Sequence, residues 1–309
     1  MKIKHLKYES PDWQVNVNWM ITVRCNYSCS YCSSYDNSQP FGFKTLDEYI
    51  DVFTYLSDYF GNQKIKMNLL GGEPTVYKQW VDLVNWLADN NYVPNILTNL
   101  SIPPKTYIHK LNGKAKKFLC ASYHPEMTIL EDFYENAKIL EEAGYLESVA
   151  LLADPNNWDQ VLRTYEKLSE ICTVLPLQIQ DEFTGNYALS ESIVDYTEEQ
   201  MKFFDEAFEG STNTNVTVDT GEEILHPSIE YLKVHHNKFK GMKCAVGRDN
   251  INIKFSGDVY PSACLFNYPR ACMGNLFKKN LIKPRGAITC PFTQCPCSTD
   301  IRIEKWAQE

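Results

Sequence analysis

Arg24-Cys25-Asn26-Tyr27-Ser28-Cys29-Ser30-Tyr31-Cys32 is the stretch on which the reading of this chain turns. It follows an apolar run at 17–23 and spaces three cysteines as C-x3-C-x2-C. Three thiolates cannot all pair as disulfides, and they are one short of a closed tetrahedral zinc site. They suit three irons of a cubane [4Fe-4S] cluster, with the fourth iron left open to a small molecule. Two other readings stay open on spacing alone: zinc completed by a distant His or Cys, or a closed structural cluster. Zinc sites usually pair their ligands as CxxC, which this run does not do.

Working outward, apolar strand-like runs at 17–23, 65–70, 94–98, 117–122, 148–153 and 175–180 alternate with helical runs. The helical runs lie at 45–60, 77–90, 104–111, 129–143, 158–171 and 197–208. Thr45 and Glu48 form a capping-box pattern before Tyr49, Val52, Phe53 and Leu56, which repeat at helical spacing. Strict alternation predicts an α/β fold with a parallel sheet, an open partial (β/α)6 barrel whose strand ends carry the site. The pattern breaks near residue 180, and 181–196 reads as a loop or cover. The expected division is a barrel domain at 1–210 and a cysteine-rich extension at 211–309.

The 309 residues carry a net charge of −9, with no basic run that would mark a dedicated nucleic-acid binder. No run of about twenty apolar residues predicts a membrane span. The charged start, Met1 to Lys7, does not read as a secretory signal. Eleven cysteines in such a chain argue for metal ligands in a reducing, cytoplasmic setting rather than a disulfide framework.

Gly71-Gly72-Glu73-Pro74-Thr75 follows the second strand run. The glycines permit a backbone to approach a ligand, and Glu73 offers a carboxylate to an amino group. A plain strand-to-helix turn is the alternative. Together, Cys25, Cys29, Tyr31 and Cys32 after one strand and Gly71-Gly72-Glu73 after the next resemble the radical S-adenosylmethionine (SAM) superfamily over about residues 17–200. The resemblance implies that SAM chelates the open iron, that the 71–73 segment holds its amino group, and that the backbone beside Tyr31 contacts adenine. It further implies contacts at the ends of later strands, from Asn99 after Thr98, from Ser122, and from Gln178 with Gln180. His124 could assist or simply be solvated. Cys120 shares a strand face with Ser122 and is either a hydrogen-atom donor or a buried structural thiol. Cys172 reads as structural.

The tail holds Cys244, Cys264, Cys272, Cys290, Cys295 and Cys297. A hairpin around Ser256-Gly257-Asp258 brings Cys244 and Cys264 together, and residues 216–224 suggest another hairpin. The tail resembles the twitch or SPASM extension, which implies one auxiliary [4Fe-4S] cluster on Cys244, Cys264 and two of Cys290, Cys295 and Cys297. Cys272 is then spare, and a four-thiolate zinc site is the alternative.

The expected activity is reductive cleavage of SAM to a 5′-deoxyadenosyl radical that abstracts hydrogen from a peptide or protein side chain. The alternatives are a radical SAM enzyme acting on a small sugar, aminocyclitol or nucleotide precursor, and a non-catalytic iron-sulfur or zinc protein. An electron donor such as flavodoxin or ferredoxin is the expected partner.

Overall fold

The computed structural model describes residues 3–8, 12–32, 36–40, 42–179, 194–208, 212–218, 223–227, 232, 235–295 and 300–307. Six parallel strands stand side by side in chain order: β2 (Val15–Thr22), β3 (Ile65–Gly71), β4 (Tyr92–Thr98), β5 (Leu119–Tyr123), β6 (Leu146–Ala153) and β7 (Val174–Gln178). Helices α1 (Leu46–Tyr59), α2 (Trp80–Asp89), α3 (Leu130–Glu142) and α4 (Trp158–Ser169) lie in the crossovers, and α5 (Glu198–Ala207) packs near β7. This is the mixed α/β architecture expected of the alternating pattern.

The helix-facing side of the sheet is a continuous apolar core. Trp19 on β2 meets Tyr49 and Phe53 of α1 edge-on, with ring centroids 5.5 and 5.6 Å apart. Each such fully buried side chain stabilises the fold by roughly 1.5–3 kcal/mol relative to exposure. The capping box on α1 forms as read, with Thr45 and Glu48 each accepting from the other's backbone N–H.

One helix expected from the sequence is absent. Residues 104–111 form two 3-10 turns, Pro104–Thr106 and Ile108–Lys110, instead of one helix. Tyr107 between them has φ −134°, outside the helical range, because its ring is drawn into the core against Trp80 at 4.6 Å. Packing of one aromatic overrides a weak local preference.

The tail folds back onto the barrel. Strand β11 (Asn250–Ile253) pairs parallel with β2, and β12 (Asp258–Tyr260) and β13 (Gly274–Asn275) extend the same sheet. The turn between β11 and β12 is the Ser-Gly-Asp hairpin expected. A second sheet has the order β14 (Ile288–Thr289), β10 (Lys243–Cys244), β15 (Lys305–Trp306), β1 (Ile3–Tyr8), β8 (Thr212–Val218), β9 (Glu223–Pro227). Strands β8 and β9 form the hairpin expected near 216–224. The amino-terminal strand thus sits among tail strands, and a tail strand completes the barrel edge. The sheets cross residue 210 in both directions. Residues 180–193, including Gln180, lie outside the described residues.

Candidate active site

The loop bearing Cys25, Cys29 and Cys32 leaves the C-terminal end of β2, and the end of β3 grips it. Gly72 N donates to Thr22 O at 2.8 Å and Glu73 N to Arg24 O at 3.0 Å. A Cβ on Gly71 would stand 1.9 Å from Thr22 O, and one on Gly72 would stand 2.0 Å from Arg24 O. Gly71 also has φ +129°, a conformation that L side chains rarely adopt. The sequence alone suggests that these glycines make room for a ligand. In the structure they line the cavity, and the group that a side chain there would strike is the thiol-bearing loop itself.

Cys25, Cys29 and Cys32 line one cavity of about 210 Å³ with the 71–72 backbone, Asn99 and Ser122. Tyr27 N donates to Cys25 Sγ at 3.3 Å, and Asn99 Nδ2 lies 3.7 Å from the same sulfur. Burial pushes the Cys25 thiol up to about 11 and the Cys29 thiol upward as well, so a metal must displace protons to bind. Among the described residues no three His, Cys, Asp or Glu side chains converge on one metal ion. A single zinc would draw its sulfurs to about 3.8 Å from one another, given Zn–S near 2.3 Å. Three thiols lining one cavity are a donor set that a polynuclear cluster could use.

Glu73 is fully buried. Its Oε1 accepts from Thr75 N at 2.9 Å, Thr75 Oγ1 at 2.5 Å and Thr98 Oγ1 at 2.9 Å, while Oε2 accepts from Asn99 N at 2.7 Å. Burial pushes its carboxyl upward against the pull of these donors. The carboxylate therefore ties the ends of β3 and β4 together. Oε1 is saturated by three donors and Oε2 keeps spare acceptor capacity, so the side chain serves as a strut between the two strand ends.

Tyr31 and His124 stand together at the cavity rim. Their rings stack with centroids 6.0 Å apart, and Tyr31 OH lies 3.0 Å from His124 Nδ1. Burial pushes the His124 imidazole below its ordinary value, which keeps it neutral at neutral pH. Glu126 fastens the loop from the β5 side by accepting from Ser30 N at 2.7 Å and Ser30 Oγ at 2.5 Å. Beyond Tyr31 a second cavity of about 230 Å³ has Tyr123, Leu151 and Ile179 as apolar walls and Asp154 and Asn157 as polar edge groups. Gln178 is not at either cavity. Its amide donates to Met201 Sδ on α5 at 3.6 Å, because it shares the helix-facing side of β7 with Pro176.

The concave face of the barrel holds residues that the sequence reading missed. Asn252, Asn18, Asn68 and Asn95 lie in register across β11, β2, β3 and β4, with Asn250 and Asn16 one step below. All six are at least nine-tenths buried. Asn68 Nδ2 donates to Asn16 and Asn18, both at 2.9 Å, and Asn16 Nδ2 donates to Asn250 at 2.7 Å. The amide nitrogens of Asn18 and Asn250 have no hydrogen-bond partner among the described residues. Asparagine is disfavoured inside strands, so its recurrence at alternate strand positions was the available signal. Cys120 joins this layer, 3.5 Å from Glu147 Oε2 and 3.7 Å from Ser148 Oγ. Burial first, then Glu147, pushes its thiol up to about 12.

Below the barrel the tail gathers a second thiol set. Cys244 on β10 pairs with Ile288, which places Cys290 two residues farther along. Cys290 N donates to Met242 O at 2.8 Å, and Cys295 N donates to Asn237 O at 2.8 Å. Cys264 lies within electrostatic reach of Cys244 and Cys295, and Cys244 within reach of Cys290. Burial pushes the Cys244 thiol up to about 11 and the Cys264 thiol upward too. Asp300, almost fully buried, accepts from Cys264 N and from Asn252 Nδ2, both at 3.2 Å. Cys272 is exposed, with its thiol turned to Gly274 O at 3.4 Å, and Cys172 caps a helix end through Leu168 O at 3.5 Å. Cys297 lies outside the described residues.

With this geometry in hand, comparison with known proteins is decisive for the family. The Radical SAM superfamily model matches residues 19–173, half of the chain. The chain belongs to the radical SAM superfamily. Among curated proteins it is 26% identical over 161 residues to an S-adenosylmethionine-dependent nucleotide dehydratase of Selenomonas ruminantium, covering 51% of this chain and 50% of that one. It is 28% identical over 98 residues to a protein of the same description from Thermoplasmatales archaeon (strain ISO4-H5), covering 32% and 34%. The chain thus spans half or less of these relatives. Streptococcus suis SuiB bound to precursor peptide SuiA superposes with TM-score 0.59 at 14% identity, covering 87% of this chain and 64% of that one. anSMEcpe with bound AdoMet superposes with TM-score 0.54 at 14% identity, covering 86% and 79%. At that identity the likeness shows the fold alone. Membership in the superfamily implies a [4Fe-4S] cluster and SAM, and three thiols around one cavity at a strand end are a donor set of the right kind. No helix among the described residues is long and apolar enough to cross a membrane.

Proposed function

We propose that the chain binds a [4Fe-4S] cluster through Cys25, Cys29 and Cys32, binds SAM beside it, and removes a hydrogen atom from a substrate held in the barrel. The carrying observation is the single cavity shared by the three thiols, the 71–72 backbone, Asn99 and Ser122. When bound, the cluster and SAM supply a 5′-deoxyadenosyl radical by one-electron cleavage. The chain's part is to hold and shield. The 71–72 backbone and Asn99 bound the methionine end, and the Tyr31–His124 stack separates it from the second cavity. That cavity, with apolar walls and acceptors from Asp154 and Asn157, suits a nucleobase. Neutral His124 can accept from Tyr31 without adding charge at the rim.

Two features favour a small, hydroxyl-bearing substrate over a peptide side chain. The barrel floor offers neutral amide donors, two of them without a partner among the described residues, and Lys66 there faces Glu147 at 3.6 Å. The curated relatives are named for action on a nucleotide. The tail set Cys244, Cys264, Cys290 and Cys295, with Cys297 as a further candidate, is proposed to hold an auxiliary [4Fe-4S] cluster. Reconstituted, reduced protein with SAM is expected to form 5′-deoxyadenosine, and to carry deuterium into it from a labelled nucleotide or sugar. Transfer from a labelled peptide alone would establish the other substrate class, and no 5′-deoxyadenosine at all would end the reading.

A further inference from the structure

Lys305 on β15 is the most deeply buried cation among the described residues, at 1% exposure. Its Nζ donates to Asp300 O at 2.8 Å, Ile301 O at 3.2 Å and Ile303 O at 2.8 Å. Three acceptors use three N–H groups, which only the ammonium form supplies. The charge stands 5.0 Å from the centre of the Phe239 ring, and Leu6 lies opposite Lys305 on the neighbouring strand. Both of these apolar side chains are fully buried. Among the described residues no carboxylate forms an ion pair with Lys305. Asp300 lies within electrostatic reach, but its two carboxylate oxygens accept from Asn252 Nδ2 and from Cys264 N. Glu304 takes the opposite strand face, where it meets His5 and Arg248.

A clip on three carbonyls needs hydrogen-bond donors but no charge, and carbonyl dipoles satisfy protons without neutralising a cation. Burying a charge among apolar side chains costs heavily, so buried charges are ordinarily paired or set beside a metal. The tail thiols offer the opposite charge. Cys244 stands directly opposite Lys305 in the antiparallel β10–β15 register. Residues so placed share a face, with Cβ atoms about 4.5–5.5 Å apart. Lys305 acts electrostatically on Cys244, which in turn lies within reach of Cys290 and Cys264. Thiolates around an iron-sulfur core carry a net negative charge that grows by one when the core is reduced.

We propose that the Lys305 ammonium is the built-in counter-charge of the tail centre and raises its reduction potential. The inference rests on the reading of the tail set as an iron-sulfur site. Reduction adds one electron to that site and transfers no atom, and a fixed cation nearby offsets the added negative charge. Lys305 is thus a positioning residue that acts through the field at the tail thiols, while its carbonyl partners hold the charge in place.

The test uses the full-length chain carrying Cys25→Ala, Cys29→Ala and Cys32→Ala, reconstituted with iron and sulfide, so that bound iron reports on the tail. Lys305→Gln keeps an amide donor for the carbonyls, Lys305→Met keeps only the stem, and both remove the charge. In a dithionite titration followed by electron paramagnetic resonance, either neutral variant should be harder to reduce. The ratio of oxidised to reduced centre at a given potential should rise at least about tenfold, or about 59 mV for one electron. Lys305→Arg keeps the charge and should stay within about threefold of the parent. Urea unfolding should show a larger loss in the iron-loaded protein than in the metal-free one. Folded neutral variants that take up no iron, with Lys305→Arg still loading, would also support the proposal. An unmoved potential with equal loss of stability in both states would overturn it, as would collapse of both neutral variants without metal. The underlying reading fails separately: if the background protein with Lys305 intact is folded by circular dichroism and holds no iron, the tail carries no such centre.

Discussion

The two thiol sets are built in opposite ways. Cys25, Cys29 and Cys32 sit on one loop, and the work of the fold is to press that loop against the end of β3. Cys244, Cys264, Cys290 and Cys295 come from separate segments that meet only because β10, β14 and the β11–β12 hairpin pair. Each set leans on one buried carboxylate. Glu73 ties β3 to β4 beside the first, and Asp300 ties Cys264 to Asn252 beside the second. A local motif needs little loop closure to form, whereas a dispersed one needs the whole sheet in place first. The first set should therefore tolerate damage to the tail, and the second should not survive loss of its pairing.

The largest expected effect separates the two sets by activity. Cys29→Ala should bring 5′-deoxyadenosine formation to background, while Cys264→Ala should leave it within about twofold and lose product, since the proposed function assigns hydrogen abstraction and any later electron removal to different centres. Product formation unchanged in Cys264→Ala would remove the tail from turnover.

Next comes the grip on the first loop. Gly72→Ala puts a methyl group 2.0 Å from Arg24 O, so backbone must shift. We expect about 1–3 kcal/mol of destabilisation, as for other overpacked sites, together with loss of iron from the amino-terminal set but not from the tail. Full iron retention would mean that the loop is held by something other than this contact.

The carboxylate struts give smaller effects. Glu73→Gln turns an amide N–H toward a donor, either Asn99 N or the Thr75 and Thr98 group, and should cost about 1–3 kcal/mol in chemical denaturation. Asp300→Asn can still accept from Cys264 N through its oxygen but meets the Asn252 amide with a second donor, so its cost should be at the lower end of that range. If Asp300→Asn were the more damaging of the two, the dispersed set would be the more tightly coupled one.

The smallest effect is on pH. Burial depresses the His124 value below its unfolded value near 6.5. Its contribution to stability is fully present above that unfolded value and is lost as pH falls through the folded one. Replacing His124 by Gln should flatten the acid limb of the stability profile below about pH 6.5. An unchanged limb would assign it to other groups.

Much of this was legible in the chain itself. The C-x3-C-x-Tyr-Cys run, the Gly-Gly-Glu segment and the strand–helix alternation are local patterns, and local patterns fix a loop, a turn and an element type without knowledge of distant residues. The structure decided what is non-local. Strand β1 joined the tail sheet and β11 joined the barrel because pairing depends on edges left open elsewhere. Tyr107 abandoned a helix for a core pocket. Gln178 faced α5 rather than the site because one residue of strand register turns a side chain to the opposite face. The asparagine floor existed in the sequence only as scattered polar letters, and the parallel register made it a surface. Sequence specifies chemistry that neighbours in the chain perform together; chemistry shared by strangers waits for the sheet to introduce them, because hydrogen-bonded pairing is settled by the whole fold at once.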